Sequence, residues 1–493
     1  MTGSRGIIET EVAIVGYGPT GAALAALLAK QGVRTLVLER EGAAYHLPRA
    51  VHFDAEVMRV FQAIGVAEAM VAHTCLAPGM RFVDARGRLL LDWSRPLEIG
   101  PEGWHASYRF HQPDLERVLR GAVAQLPAAE VRTRAEVFAL DQDPTGVTIR
   151  WEELDSGRIR AARACWVVGC DGARSLVRRF MGAEWLDLGF HERWLVTDLI
   201  LTRPRPDLGD HTVQFCDPQR PMTYVRGVGN RRRWEIALRP GEDATEMTRP
   251  ETVWRLLERW IGPSEAEIER ATVYTFHSAL AARWRAGRLL LAGDSAHQTP
   301  PFLGQGLCAG IRDAANLAWK LARVQAGLAQ ESLLDSYESE RAPHVRAYIE
   351  MAVRLGGLIN TRAMEAVVPG SVLSGGPPAQ MESIRPPLGP GLSGGWTGPT
   401  GRVAPQPVLG DGVRLDDRVG YRFALLLRPS DAATLPTPPL DALARRGAVL
   451  VADAALTPWL DDIGALAALV RPDRYVLGAA RDADELAALA AAI

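Results

Sequence analysis

The sequence predicts a chain of mixed α/β and α+β class. It should hold a parallel-sheet domain in two pieces, an antiparallel sheet inserted between them, and a small α/β module at the end. Three observations predict this. Strand, helix and strand follow one another between residues 12 and 38, the order of a βαβ unit. Between residues 185 and 276 the texture shifts to short β-branched and aromatic segments. A stretch at 369–400, crowded with Gly, Pro and Ser, then separates the body of the chain from its last apolar segments.

The elements follow in order. Residues 12–15 read as a buried strand, 22–30 as a helix of strong formers (Ala and Leu), and 34–38 as a second apolar strand. Phe53, Val57, Val60, Phe61 and Ile64 recur with helical period, and 112–124 is a helix entered through Pro113. Strands are expected at 195–201, 212–215, 222–226, 233–238 and 272–276, with one helix at 251–260. Arg231, Arg232 and Arg233 read as a solvated hairpin. The α/β pattern returns with a strand at 288–292 and long helices at 306–324 and 333–351; Pro343 marks a kink or join in the second. After the linker come strands at 423–427, 448–452 and 475–477 and a closing helix at 483–493. The expected division is 1–184, 185–278, 279–368, the linker 369–400, and 401–493.

Composition narrows the function classes. The 493 residues are 47% hydrophobic and 23% charged, the balance of a folded globular protein. A net charge of −2 argues against a basic nucleic-acid binder and against an electrostatic membrane anchor. Of the 56 basic residues all but Lys30 and Lys320 are arginine, a compositional bias. No apolar run is long enough to span a bilayer, and the N-terminus lacks the pattern of a secretory signal. Cys75, Cys165, Cys170, Cys216 and Cys308 form neither a C-x-x-C pair nor a zinc-ligand spacing. A reducing cytoplasm and no metal site are the expectations.

Gly16-Tyr17-Gly18-Pro19-Thr20-Gly21 is a G-x-G-x-x-G between the first strand and the first helix. Gly16 permits the tight turn, Gly18 lets backbone approach a pyrophosphate, and Gly21 lets helix and strand pack closely. The anion would rest on unsatisfied N–H groups at the helix start. Glu39 ends the second strand at the spacing of a ribose-binding acid, with Arg40 beside it. This fingerprint alone does not separate FAD from NAD. Two further motifs close strands: Gly169-Cys170-Asp171-Gly172, and Gly293-Asp294 running on to Pro300-Pro301-Phe302-Leu303-Gly304-Gln305-Gly306-Leu307.

These three motifs in this order resemble the single-component FAD-dependent aromatic hydroxylases, the para-hydroxybenzoate and phenol hydroxylase group. Pro48-Arg49-Ala50, and Gln112 with Leu115-Glu116, also match. Within the group the likeness is greatest to the 3-(3-hydroxyphenyl)propionate hydroxylases, and Arg471-Pro472-Asp473-Arg474-Tyr475-Val476 resembles their C-terminal signature. The resemblance implies a glutathione-reductase-type, Rossmann-like FAD-binding domain, an inserted substrate sheet and a thioredoxin-like C-terminal domain. With no cysteine after Cys308, that last domain cannot carry out dithiol exchange. It is expected to serve structure or dimerisation.

The resemblance also implies roles. Glu39 would hold the adenosine ribose, Arg49 would face the pyrophosphate, and Gln112 would reach the ribityl chain or flavin. Asp294 would accept a ribityl hydroxyl, Asp171 would serve FAD and nicotinamide binding, and Pro301, Gly304, Gly306 and Leu307 would face the flavin ring. NADH or NADPH would dock transiently, and O2 would react through a C4a-hydroperoxyflavin to hydroxylate a phenol. His52 and Arg226 are the catalytic candidates, His52 in a proton path and Arg226 as partner of a substrate carboxylate. His211, Gln214 and Tyr224 are the substrate-contact candidates. Cys308 stands where many relatives have Asn and is expected to pack. The expected substrate is 3-(3-hydroxyphenyl)propionate or a related phenolic acid. A larger polyphenol or polyketide is the alternative; a flavin-dependent halogenase or a non-enzymatic flavin binder is a more remote one.

Overall fold

A computed structural model describes residues 7–44, 47–359, 379–392 and 398–492. Much of the expected linker at 369–400 lies outside the described residues.

The first sheet has eight strands. Its central path runs Arg285–Ala286, Leu289–Leu291, Arg158–Gly169, Ile8–Val15, Thr35–Leu38 and Ala129–Arg132, and the hairpin Ala135–Asp143/Gly146–Glu153 joins Arg158–Gly169. From Leu289–Leu291 to Ala129–Arg132 every pair is parallel, with Ile14 between Val168 and Val37. Strands buried on both faces need continuous apolar runs, and Val12, Ala13 and Ile14 are fully buried. Ile8–Val15 is the strand from which the order departs both ways. The crevice outside its carboxyl end is where such sheets bind ligands.

The second sheet has nine strands and one long antiparallel pair near one edge, Trp185–Leu201 with Ala266–Ala281, flanked on its outer side by His297–Gln298. Arg231–Ala237, Met222–Arg226 and Thr212–Cys216 follow outward. The sheet then continues through Gly79–Asp84 and Leu89–Ser94, whose chain segment precedes the expected insertion, and ends on Ala379–Gln380. Residues alternate between its faces. Leu195, Met222, Tyr224, Trp234 and Ile236 pack with Val253 and Leu257 of the helix Pro250–Leu257. Their neighbours Val196, Thr223, Val225, Arg233 and Glu235 face the first domain.

The expected solvated hairpin at Arg231–Arg233 requires correction. Arg233 is 4% exposed. It donates to Asp198 Oδ1 at 2.7 Å and to the carbonyls of Arg49 and Pro48, also at 2.7 Å. Three consecutive arginines look solvated, but strand alternation turns the third inward onto a buried carboxylate.

The helix Asp335–Ile359 runs through Pro343, and the Glu340 carbonyl accepts the Gly389 N–H at 2.9 Å. The last sheet runs Val449–Ala452, Ala424–Leu427, Ala467–Val470, Val476–Ala480, parallel in the first pair and antiparallel in the other two. Ala467–Val470 is a strand that sequence reading missed, because Ala-Ala-Leu-Val carries little β signal.

Candidate active site

One cavity of about 490 Å³ lies between the carboxyl ends of the parallel strands and the inner face of the second sheet. The first loop lines it through Gly18, Pro19 and Thr20. Gly16 has φ +101°, and a Cβ there would stand 2.4 Å from the Cys170 carbonyl oxygen. A Cβ on Gly21 would stand 2.2 Å from the Gly16 carbonyl oxygen. These two glycines serve the protein's own packing. A Cβ on Gly18 would meet nothing within 4 Å, so the space it leaves open belongs to the cavity.

Glu39 stands at the end of the second strand. Its carboxylate accepts from Tyr17 N at 2.7 Å and Glu41 N at 2.8 Å, which holds it beside the loop. Arg40 is exposed and paired with Glu41. Asp294 is exposed toward the cavity, and desolvation there raises its pKa while Arg49 opposes the shift. Pro301, Gly304, Gly306 and Leu307 line the same side, at the N-terminus of the twenty-residue helix Gly306–Gln325. Arg49 lines the cavity. Gln112 does too, and its Oε1 accepts from Arg49 N at 3.0 Å and Ala50 N at 2.8 Å. Gln112 therefore shapes the Arg49 loop. Asp171 Oδ2 accepts from Leu176 N at 2.6 Å and Val177 N at 3.2 Å, placing it at the start of the helix Leu176–Phe180; the cavity is lined by its neighbours Cys170 and Gly172.

Strand alternation sorts the substrate-contact candidates. Gln214 faces the cavity with Thr212 and accepts from the Thr223 hydroxyl at 2.5 Å. Tyr224 lies on the opposite face and donates to the Gly209 carbonyl at 3.3 Å. Arg226 shares that phase and pairs with Asp210 at 2.8 Å. His211, which precedes the strand, is not among the lining residues. The charged groups on the inner wall are ones that sequence reading missed. Asp198 binds Arg233 and Arg270, and burial pushes the Glu235 carboxyl up, with Arg233 opposing. The alternation carried the signal; its phase did not show until the helix Pro250–Leu257 had claimed one face.

His52 lines the cavity on the short strand His52–Asp54. Its Nδ1 is 3.2 Å from the Gly304 carbonyl, which can only accept, so Nδ1 carries the proton. Nε2 then accepts, from the Ser107 hydroxyl at 2.8 Å and from Arg95 at 3.3 Å. Desolvation, with Arg95 nearby, lowers the His52 pKa to about 3, so the ring is neutral at pH 7. Arg95 and Arg109 also line the cavity, and among the described residues no carboxylate lies within ion-pair distance of either. Desolvation lowers the Arg109 pKa to about 10. Cys308 is buried, with its thiol directed at the His52 and Gly304 carbonyls, as packing requires.

The donor set fits a dinucleotide carrying a flavin. Two helix N-termini and a glycine-lined opening suit a pyrophosphate, and Glu39 and Asp294, which form no ion pair among the described residues, suit sugar or ribityl hydroxyls. Among the described residues no cluster could hold a metal ion, and no helix is long and apolar enough to cross a membrane.

A family model described as FAD binding domain matches residues 9–352. A probable NADH-specific resorcinol 4-hydroxylase of Rhodococcus jostii (strain RHA1) is 40% identical over 97% of this chain and 94% of its own. A 3-(3-hydroxy-phenyl)propionate/3-hydroxycinnamic acid hydroxylase of Burkholderia cenocepacia (strain HI2424) is 34% identical over 98% and 96%. Among solved structures, the flavin-dependent monooxygenase PieE in complex with FAD and substrate matches with TM-score 0.81 at 23% identity over 98% of each chain. OxyS anhydrotetracycline hydroxylase from Streptomyces rimosus matches with TM-score 0.73 at 26% identity over 96% of each.

Proposed function

Because the chain belongs to the FAD-binding domain family and is a flavoprotein monooxygenase, we propose that it hydroxylates a small phenol with NADH or NADPH and O2 as co-substrates. The phenol would carry a second oxygen function. Resorcinol and 3-(3-hydroxyphenyl)propionate, the substrates named for its relatives, are both of that kind. The observation that carries this reading is the constellation of Arg95, Ser107 and neutral His52 in the same cavity as the glycine loop and Asp294.

FAD, when bound and reduced, supplies the oxygen-transferring chemistry. The chain's residues do the rest. Amides at the start of the helix Pro19–Lys30 and Arg49 would take the pyrophosphate, Glu39, held beside the glycine loop, the ribose, and Asp294 the ribityl chain. Asp171 shapes the turn beside them. Ring hydroxylation needs electron density on the carbon attacked, and ionising the phenol raises it. The Arg95 guanidinium offers a fixed positive charge to that oxygen. Ser107 directs its proton at His52 Nε2, which leaves the hydroxyl oxygen free to accept a hydrogen bond from the phenolic O–H and hold it beside Arg95 while the proton leaves to water. With a pKa of about 3, His52 stores no proton at neutral pH; it orients Ser107. The inner face of the second sheet would hold the rest of the ring, and the cavity between the two sheets would exclude water. The closing sheet would be a thioredoxin-like module, a reading supported by its strand order and directions.

The test is to purify the yellow protein and screen phenols for stimulated NADH or NADPH oxidation with product analysis. Hydroxylated resorcinol or 3-(3-hydroxyphenyl)propionate in step with reductant consumed is expected. Reductant oxidation with no hydroxylated product from any phenol would sink the reading.

A further inference from the structure

A chain of buried polar groups leads from the C-terminal module to two turns of the cavity. Tyr475 belongs to the segment just before the strand Val476–Ala480 and is buried. Its hydroxyl donates to Glu56 Oε1 at 2.5 Å. Glu56 Oε2 accepts from Arg312 Nε at 2.6 Å. Arg312 goes on to Asp54 Oδ2 at 2.5 Å and to Gln305 Oε1 at 2.9 Å, and Gln305 Nε2 donates back to Asp54 at 3.1 Å. Gln305 stands between Gly304 and Gly306, both in the cavity wall.

A second branch starts at the same hydroxyl. His344 Nε2 is 3.4 Å from it, and Arg341 donates to His344 Nδ1 at 2.9 Å. A guanidinium only donates, so Nδ1 accepts. Burial and Arg341 hold the His344 pKa well below its usual value, so the ring is neutral and its single proton sits on Nε2, facing Tyr475. Arg341 Nε donates to Asp313 Oδ1 at 2.8 Å. Asp313 Oδ2 accepts from Gly293 N at 2.9 Å and pairs with His297 at 2.7 Å. Gly293 immediately precedes Asp294.

Tyr475 is therefore a node that accepts from one branch and donates to the other. The first branch ends at the turn 304–307, the second at the turn carrying Asp294. Buried ions keep their places only where every partner is present, so such a chain transmits position. We propose that Tyr475 is a positioning residue of the flavin site, which it serves by fixing these two turns relative to each other. On this view the C-terminal module completes the cofactor site. The inference rests on the assignment of FAD above.

The test compares Tyr475→Phe with Asp416→Asn in the full-length protein. Asp416 anchors the module close by, through Arg59 at 2.7 Å and Arg474 at 3.1 Å, but joins neither branch. Tyr475→Phe keeps the ring and removes both contacts of the hydroxyl, the short one to Glu56 and the longer one from His344. It should raise the FAD Kd of the deflavinated protein about three- to tenfold and shift the absorbance of the bound flavin. Asp416→Asn should lower the Tm and leave the FAD Kd within about twofold, too little to count as one lost hydrogen bond. An unchanged FAD Kd in Tyr475→Phe overturns the proposal, as does an equal rise in both variants. If Tyr475→Phe does not fold, Glu56→Gln is read the same way, and failure of both to fold makes the chain purely structural. A wild-type protein that takes up no FAD overturns the functional reading and this one with it. Wild-type binding with an unaffected variant overturns this one alone.

Discussion

The two walls of the cavity are made of different material. The wall at the parallel strand ends is built on glycine-bearing backbone turns: Gly18 to Thr20, the turn at Asp294, and Pro301, Leu303, Gly304, Gly306 and Leu307. The facing wall is side chain, with Val196, Thr212, Thr223 and Glu235 each arriving from a different strand. A backbone wall obeys steric rules that act within a few residues, so it is written as glycine spacing. A side-chain wall obeys only alternation, and its phase is set by whatever covers the opposite face.

Gly21→Ala should break the first wall outright. Its Cβ would meet the Gly16 carbonyl oxygen at 2.2 Å, so neither the packed helix nor flavin binding should survive, as read by Tm and flavin content. Gly18→Ala sharpens the point. It should change apoprotein stability by no more than about 0.5 kcal/mol while weakening FAD binding. Equal loss of stability in both variants would remove the distinction between packing glycines and ligand glycines.

Arg233→Met attacks the second wall. It would strip Asp198 of one of its two cations and release the Pro48 and Arg49 carbonyls, costing about 3–5 kcal/mol in a urea titration. A loss below about 1 kcal/mol would restore the solvated-hairpin reading.

His52 connects the walls, and acid should reveal it. Its folded pKa, about 3, lies below the unfolded value of 6.5. Its contribution to stability is complete above pH 6.5 and is lost as pH falls toward 3. Between pH 6.5 and 5 the wild type should lose about 2 kcal/mol more than His52→Gln. Parallel pH–stability curves would place His52 in water.

The smallest effect is expected from Arg226→Ala. Its pair with Asp210 is partly exposed and lies out of the cavity, so stability should change by under about 1 kcal/mol and substrate KM by less than threefold. A tenfold rise in KM would bring Arg226 to the substrate and collapse the phase argument.

Legibility followed the same line. The βαβ start, the long helices and the strand segments of the second sheet were readable because periodicity is local. The hairpin Gly79–Asp84/Leu89–Ser94 was not assigned to that sheet, because pairing across more than a hundred residues leaves no mark on either partner. Ala467–Val470 was lost to a weak local signal. Of four candidates on or beside the inner strands, alternation turned only Gln214 toward the cavity. Arg95, Ser107 and Glu235 had no motif to announce them.

The sequence by itself determined where backbone must bend and where a helix must start: Gly16, Gly18 and Gly21, the Gly-Asp pair at 293–294, and the glycines at 304 and 306. Those constraints come from the sterics of neighbouring residues. Tertiary structure alone decided which face of each strand is inner, which histidine nitrogen holds a proton, and that Tyr475 joins two turns far from it in the chain. Such outcomes depend on burial and on partners remote in sequence. They come into being only when the sheets and the C-terminal module close on one another.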